Sequence, residues 1–101
     1  MTDRIHELSD IIKTWADEVY PDRTPESALI KLVMEEIPEL LNGGLDSSGE
    51  WADLLILVVD AAHLRGIDVV DAAFKKMEIN KSRNWFVNPK TGVMRHIDDE
   101  H

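Results

Sequence analysis

Residues 31–40 read KLVMEEIPEL, and this stretch places carboxylates where a helix would bury apolar side chains. At about 100° per residue, Glu36 projects into an apolar arc, Glu39 falls at the edge of that arc and Glu35 lies just outside it. The arc is formed by Leu29, Ile30, Leu32, Val33, Ile37, Leu40 and Leu41. An ionised carboxylate in an apolar interface costs several kcal/mol unless it is paired or bound to a cation. Glu36 is therefore predicted to have a positively charged partner.

A second set of carboxylates lies in residues 50–60, which read EWADLLILVVD. On a helix, Glu50 and Asp53 are about 60° apart on one face, and Asp60 follows two turns later, about 20° further round. The rest of the segment is apolar on nearly all sides, as in a buried helix. Because a chain of 101 residues has few other helices to surround it, we expect a homo-oligomer with a shared core, a tetramer rather than a dimer. A central helix within a monomer is the alternative.

The remaining chain predicts an all-α fold in one domain, residues 1–101, built as an antiparallel bundle of about four helices. Capping residues, prolines and glycines divide it into helices at about 3–20, 25–42, 46–66 and 68–85. Residues 86–101 contain two short β-compatible runs around an Asn-Pro-Lys-Thr-Gly turn. They predict either a short C-terminal hairpin that acts as a flap or a loosely ordered tail.

Clustered carboxylates suggest a metal centre. The short Gly43-Gly44 turn makes the second and third helices neighbours, so that the two carboxylate pairs can face each other across the bundle. Carboxylates without counter-charge repel one another, and all-oxygen ligand sets favour hard cations. We predict Mg²⁺, with Mn²⁺ as a substitute, and buried salt bridges to lysine or arginine remain the alternative. The predicted ligands are Glu36, Glu39, Glu50 and Asp53.

Composition and charge exclude several classes of protein. The chain is 44% hydrophobic and 31% charged, which is too apolar for a disordered protein. Its 11 basic and 20 acidic residues give a net charge of −9, so no nucleic-acid partner is expected. The longest apolar run is far shorter than the roughly 20 residues that span a bilayer, so no membrane association is expected. The absence of cysteine favours a cytoplasmic location.

The two carboxylate motifs resemble a known signature. Lys31-Leu-Val-Met-Glu-Glu-Ile-Pro-Glu-Leu followed by Glu50-Trp-Ala-Asp53 is similar to the EExxE…ExxD pattern of the MazG-like, all-α NTP pyrophosphohydrolases. The segment Lys76-xxx-Asn80-xx-Arg83 resembles the K-xxx-N-xx-R segment of that family, and the likeness runs from about residue 15 to 96, closest to compact phage or bacterial members. Pro38 inside the first motif and the spacing of only ten residues between the motifs depart from the pattern.

The resemblance implies a Mg²⁺-dependent nucleoside triphosphate diphosphatase. Such an enzyme cleaves a (d)NTP between the α and β phosphates to the monophosphate and pyrophosphate, and the compact members suggest dATP or dGTP as substrate. Glu35 and Glu36 would be catalytic, with Glu35 either orienting water or acting as an extra ligand. The kink that Pro38 can introduce makes Glu39 the least secure ligand. The substrate-binding residues would be Lys31, Lys76, Asn80, Arg83 and Trp85.

Two other readings stay open at this point. A di-iron or other metal-binding helical bundle would need two Glu-xx-His motifs, and only Asp60-xx-His63 comes near that spacing. A non-enzymatic oligomerisation module would explain the apolar third helix but leaves Glu36 among apolar side chains without a reason. Release of pyrophosphate that depends on Mg²⁺ distinguishes the enzyme from both.

Overall fold

A computed structural model of the protein describes residues 3–97. Over this range the chain forms four helices and one two-stranded hairpin, which confirms a mostly helical fold. The described residues fall into two compact units, one ending at Val70 and the other beginning at Asp71. Within residues 3–97, none of the helices has both the length and the apolar character that crossing a bilayer requires.

Helix α1 (Arg4–Val19) begins at a side-chain cap. The carboxylate of Asp3 accepts a hydrogen bond from the backbone N–H of His6 at 2.9 Å, which satisfies one of the free donors of the first turn. The helix ends before Pro21, as the sequence predicts. Ile12 and Ala16, one turn apart, are the buried side chains of its inner face.

The second helical stretch is continuous but changes its winding. It begins with a capping box in which Thr24 and Ser27 bond each other's backbone N–H groups. It consists of four segments: α2 (Pro25–Lys31), a first π-helical segment (Leu32–Glu36), α3 (Ile37–Glu39) and a second π-helical segment (Leu40–Gly44). The last of these contains the helix end itself, because Gly43 has a φ of 108°.

The wide turns decide which face of this stretch is buried. Ala28, Glu36, Leu40 and Gly44 are buried, so the inner face repeats at multiples of four residues rather than at 3.6. Pro38 lies between the two π-helical segments and has no N–H to donate, yet the backbone on either side of it keeps helical angles. The predicted arc, which assumed a regular α-helix, was right for Glu36 and Leu40, whereas two of its four leucines are exposed.

Helix α4 (Ser48–Leu64) starts at Ser47, whose hydroxyl accepts a hydrogen bond from the backbone N–H of Glu50 at 3.3 Å. It packs against both α1 and α2 in the first unit. Its buried residues are Val59, Asp60 and Ala61. The helix therefore holds Glu50 in its first turn and is anchored to its neighbours near its other end.

A buried ion pair provides much of that anchor. The guanidinium of Arg23, in the loop between α1 and α2, donates from Nε to Asp60 Oδ2 at 2.5 Å and from Nη2 to Asp60 Oδ1 at 2.7 Å. The same nitrogen Nη2 donates to Asp17 at 2.8 Å. These two carboxylates raise the pKa of Arg23 above its usual value, and the hydrogen bonds to Asp60 contribute most. We call this group the Arg23 clasp; it ties α4 to α1 and to the loop that follows α1.

Helix α5 (Val69–Lys81) ends four residues before the predicted boundary, because the chain turns at Ser82 and enters a strand. Strands β1 (Trp85–Val87) and β2 (Met94–His96) pair antiparallel, with Trp85 opposite His96. Of the two forms predicted for the tail, the structure shows the hairpin. The end of the predicted flap, residues 98–101, lies outside the described residues.

Candidate metal centre

Three predicted ligands converge at one end of the first unit. Glu36, Glu39 and Glu50 each offer a carboxylate oxygen within 4.8 Å of the other two. Within residues 3–97 no other set of three or more acidic, histidine or cysteine side chains meets that condition. Glu36 and Glu39 come from the helical stretch around Pro38 and Glu50 comes from the first turn of α4, so the centre depends on the turn that joins them. We call these three residues the carboxylate trio.

The trio contains buried oxygens without partners. Glu36 is only 6% exposed, and its Oε1 has no hydrogen-bond partner in the protein. Oε1 of Glu50 is also buried and unpaired. Leaving a buried polar atom unpaired costs free energy, and the cost is larger for a charged group. A cation between these oxygens satisfies them at once, so the residues fit a divalent metal.

The electrostatics of Glu50 support the same conclusion. Burial raises the pKa of Glu50 above its ordinary value, and the negative charges of Glu39, Asp53 and Glu36 raise it further. A carboxyl with a raised folded-state pKa disfavours the fold once the pH rises through that pKa. At neutral pH the ionised carboxylate of Glu50 therefore opposes folding, and a bound divalent cation would remove this penalty.

Two neighbouring charges complete the surroundings of the trio. Lys31 Nζ lies 2.9 Å from Glu35 Oε1 and 3.4 Å from Glu36 Oε2. This lysine therefore neutralises one side of Glu36, and the unpaired Oε1 of the same carboxylate is left for another cation. Asp53, the fourth predicted ligand, is exposed and outside the trio, although it is near enough to Glu50 to raise its pKa.

An open cleft of about 370 Å³ adjoins the trio. Its walls combine two of the carboxylates with the backbone of the helix end and with the hydroxyl that caps α4. The lining residues are Glu39, Asn42, Gly43, Gly44, Ser47 and Glu50. A cleft of this size beside a cation site has room for a phosphate chain.

The other predicted substrate-binding residues belong to the unit that begins at Asp71. Lys76 and Asn80 lie on α5, but Arg83, which falls within the predicted helix at 68–85, lies beyond the end of α5. The indole N–H of Trp85 donates to the backbone carbonyl of Asn80 at 2.9 Å. Its ring meets His96 edge-on at a centroid distance of 5.5 Å, so Trp85 is oriented by its own unit.

Sequence reasoning missed two features of the first unit. It grouped Asp60 with the acids of α4, and the Arg23 clasp instead neutralises that carboxylate. It treated Gly44 only as part of a helix stop, whereas Gly44 is buried beside Glu39 and Glu50. The sequence did contain a signal for the role of Gly44. One glycine, Gly43, is enough to end the helix, so the glycine that follows it needed a separate explanation. Hydrophobic periodicity gives no signal for the pairing of Asp60 with Arg23, because Arg23 lies in a loop.

Comparison with known proteins places this geometry in context. The family model described as dATP/dGTP pyrophosphohydrolase matches residues 8–100. A dATP/dGTP diphosphohydrolase of Salmonella phage PMBT28 is 39% identical over 98 residues, which is 97% of this chain and 33% of that protein. A dATP/dGTP diphosphohydrolase of Cyanophage S-2L is 40% identical over 94 residues, which is 92% of this chain and 88% of that protein. The chain thus spans about a third of the first relative and most of the second.

A solved structure is similar over almost the whole chain. It is the Cyanophage S-2L MazG-like pyrophosphohydrolase bound to dGDP and three catalytic Mn²⁺ ions per active site. The superposition has a TM-score of 0.79 at 40% sequence identity and covers 95% of this chain and 99% of that one. The backbone arrangement that brings the trio together is therefore shared with a protein that binds a nucleotide and divalent metal.

Proposed function

This chain belongs to the dATP/dGTP pyrophosphohydrolase family, and we propose that it hydrolyses dATP or dGTP to the deoxynucleoside monophosphate and pyrophosphate in a reaction that requires Mg²⁺ or Mn²⁺. The family match confirms the resemblance that the two carboxylate motifs predicted. The observation that carries the proposal is the carboxylate trio, with the unpaired buried oxygens of Glu36 and Glu50. A di-iron bundle or a passive oligomerisation module gives no reason for an all-carboxylate centre beside an open cleft.

The proposed metal ligands are the trio together with Asp53. When bound, divalent ions neutralise phosphate charge and lower the pKa of water. The chain contributes geometry: the helical stretch holds Glu36 and Glu39, and the capped first turn of α4 holds Glu50. The short turn between them keeps the two sets at ligand distance, which is the positioning on which phosphoryl transfer depends.

Glu35 is the proposed catalytic carboxylate that orients the attacking water. Its side chain is exposed, it precedes Glu36 in the chain, and its Oε1 is held by Lys31 at 2.9 Å. Water attacks the α-phosphorus, a new P–O bond forms, and the bond to the α–β bridging oxygen breaks, with the electron pair leaving on pyrophosphate. The proton of the water passes to Glu35 and then to solvent. Lys31 is freed toward the phosphates when Glu35 accepts that proton.

The other proposed substrate-binding residues belong to the unit that begins at Asp71. Lys76 and Arg83 carry the positive charge that phosphates require, and Asn80 offers an amide that hydrogen-bonds a base or sugar edge. Trp85 presents a large ring for stacking on a base. We assign both units to one catalytic domain, residues 1–101, because the family match runs through residues 8–100.

Product analysis tests the proposed reaction. With Mg²⁺ or Mn²⁺, the full chain is expected to convert dATP and dGTP to dAMP and dGMP with one equivalent of pyrophosphate, and more slowly to attack pyrimidine and ribonucleoside triphosphates. Anion-exchange chromatography separates monophosphate, diphosphate, pyrophosphate and orthophosphate in one run. An identical preparation with excess chelator is the control for metal dependence. Release of orthophosphate and dADP, or equal rates with chelator, contradicts the proposal.

The active form is proposed to be a homo-oligomer, with a tetramer favoured over a dimer. Within residues 3–97 no side chain is less than 2% exposed, so the chain alone completes no dry core. On α4, Trp51, Leu55 and Val58 form an apolar stripe with Trp51 51% exposed. Val33 and Met34, on the helical stretch, are exposed as well. We propose that each of the two helices supplies one two-fold interface, since two kinds of two-fold interface together generate a closed tetramer.

A charge in the middle of the α4 stripe tests the oligomer. Leu55→Glu is expected to lower the mass of the particle in light scattering by at least a factor of two, because an unpaired carboxylate cannot be buried in an apolar interface. Thr91→Glu, in the exposed turn of the hairpin, adds the same charge outside the stripe and is expected to leave the mass unchanged. A monomeric wild-type protein, or an unchanged mass for Leu55→Glu, counts against this part of the proposal.

A further inference from the structure

Gly44 lies where the two halves of the carboxylate trio meet. It is buried at the end of the helical stretch, and its carbonyl accepts a hydrogen bond from the backbone N–H of Ser47 at 2.9 Å. A methyl group at Gly44 would lie 2.9 Å from the backbone oxygen of Glu39 and 3.1 Å from Cγ of Glu50. Both distances are shorter than carbon atoms tolerate without movement of the neighbour.

The backbone conformation of Gly44 does not itself require glycine. The glycines with positive φ are Gly43, Gly66 and Gly92 among the residues described, so Gly44 is outside the left-handed region. The helix end is already provided by Gly43, whose φ is 108°. What distinguishes Gly44 is close approach: it lets the Glu50 side chain rest directly against the chain that carries Glu39.

We propose that Gly44 is a positioning residue of the metal centre, whose missing side chain allows the oxygens of Glu39 and Glu50 to come within ligand distance of each other. This inference rests on the proposed metal-dependent function. The Glu39 carbonyl is part of a helix and has little freedom to move, so a side chain at Gly44 forces the Gly44 backbone away from it and also displaces the Glu50 side chain. The displacement separates Glu50 from Glu36 and Glu39 and opens the trio.

Binding of Mn²⁺ to the full-length protein tests the inference. Gly44→Ala is expected to weaken Mn²⁺ affinity by about 10-fold or more in calorimetric titration, the size of effect seen when supports of metal ligands are lost. In the assay of pyrophosphate release, the metal concentration for half-maximal rate is expected to rise by a similar factor. The rate at saturating metal is expected to recover, because the ligands themselves are intact.

Two other glycines of the first unit serve as matched controls. Gly49→Ala adds a methyl group whose nearest neighbour is Ser47 Oγ at 3.8 Å, so Mn²⁺ affinity is expected to stay within about two-fold of wild type. Gly66→Ala meets nothing within 4 Å but strains a backbone with φ of 73°. It is expected to lower the melting temperature without changing Mn²⁺ affinity. Together they separate loss of stability from loss of positioning.

A double variant keeps the test decisive if Gly44→Ala folds poorly. In the Glu50→Ala background the Cγ atom is gone, so adding Gly44→Ala is expected to lower the metal-free melting temperature less than it does in wild type. An equal loss in both backgrounds, or failure of both to fold, overturns the inference, as does unchanged Mn²⁺ affinity of a folded Gly44→Ala. If wild-type protein binds no Mn²⁺, the proposed metal-dependent function fails instead.

Discussion

Glu36→Gln is expected to reduce kcat/KM for dATP by about a thousand-fold and to abolish high-affinity Mn²⁺ binding. Glutamine keeps the shape of the side chain but removes the charge at the most buried member of the trio, which is 6% exposed. Stabilisation of phosphate charge by a metal ion contributes several kcal/mol, and about 4 kcal/mol corresponds to a thousand-fold in rate. Steady-state kinetics and calorimetric Mn²⁺ titration on the same preparations measure both effects.

The same variant is expected to fold as well as wild type or better when no metal is present. Burial is the largest cause of the raised pKa of Glu50, and removing the charge of Glu36 relieves part of the charge repulsion that raises this pKa further. Loss of activity together with an unchanged or higher metal-free melting temperature separates a ligand from a packing residue. Glu7→Gln, an exposed charge removal in the first turn of α1, is the control and is expected to retain activity. Full activity in Glu36→Gln would refute the assignment of the trio.

The position of Glu36 could be predicted from sequence because it depends on local geometry. Glu36 is only about one turn from Leu32, so the phase difference between regular and wide helical turns is still small there, and a carboxylate on the inner face is recognised with either winding. Glu50 was predictable for a similar reason, since it falls in the first turn of a helix with a clear serine cap. The prediction of a metal centre followed from these positions, because clustered carboxylates need a cation.

The winding of the second helix could not be predicted in the same way. A phase calculation at 100° per residue assumes hydrogen bonds between residues four apart, and Ile37 instead bonds to Leu32, five residues back. The difference in phase accumulates toward the end of the helix, where Leu41, predicted inside, is exposed. Leu29, in the regular segment before the wide turns, is exposed as well. Those exposed leucines still require an apolar partner, which is the reason that an oligomer remains proposed.

Contacts between residues that are far apart in sequence were the second feature that could not be predicted. Asp60 shares a helical face with Glu50 and Asp53, and sequence periodicity alone cannot tell a metal ligand from a carboxylate paired with a loop arginine. The structure makes the distinction because Arg23 lies 37 residues away in sequence and 2.5 Å away in space. Tertiary pairing of this kind follows from how helices pack, and no local pattern encodes it.

Arg23→Ala is expected to lower the free energy of unfolding by about 3–5 kcal/mol, the largest effect on stability among the substitutions proposed. The side chains of Arg23 and Asp60 are 10% and 9% exposed, so the substitution leaves a buried carboxylate with no counter-charge. For a domain of this size the corresponding fall in melting temperature is more than about 10 °C. Urea denaturation measures the change in the free energy of unfolding. The protein concentration is kept the same in all samples, so that subunit dissociation contributes equally to each of them.

The expected loss of stability is large because the substitution leaves the buried charge of Asp60 unpaired, and not because the intact ion pair itself contributes that much free energy. Replacing both partners, as in Arg23→Met with Asp60→Leu, removes the charge along with its partner and is expected to restore most of the lost stability. Lys75→Ala breaks an exposed ion pair with Asp71 at 3.5 Å and is expected to change stability by less than about 0.5 kcal/mol. If Arg23→Ala costs no more than Lys75→Ala, the clasp does not anchor α4, and the position of Glu50 depends instead on the Ser47 cap, on helix packing and on the turn at Gly44.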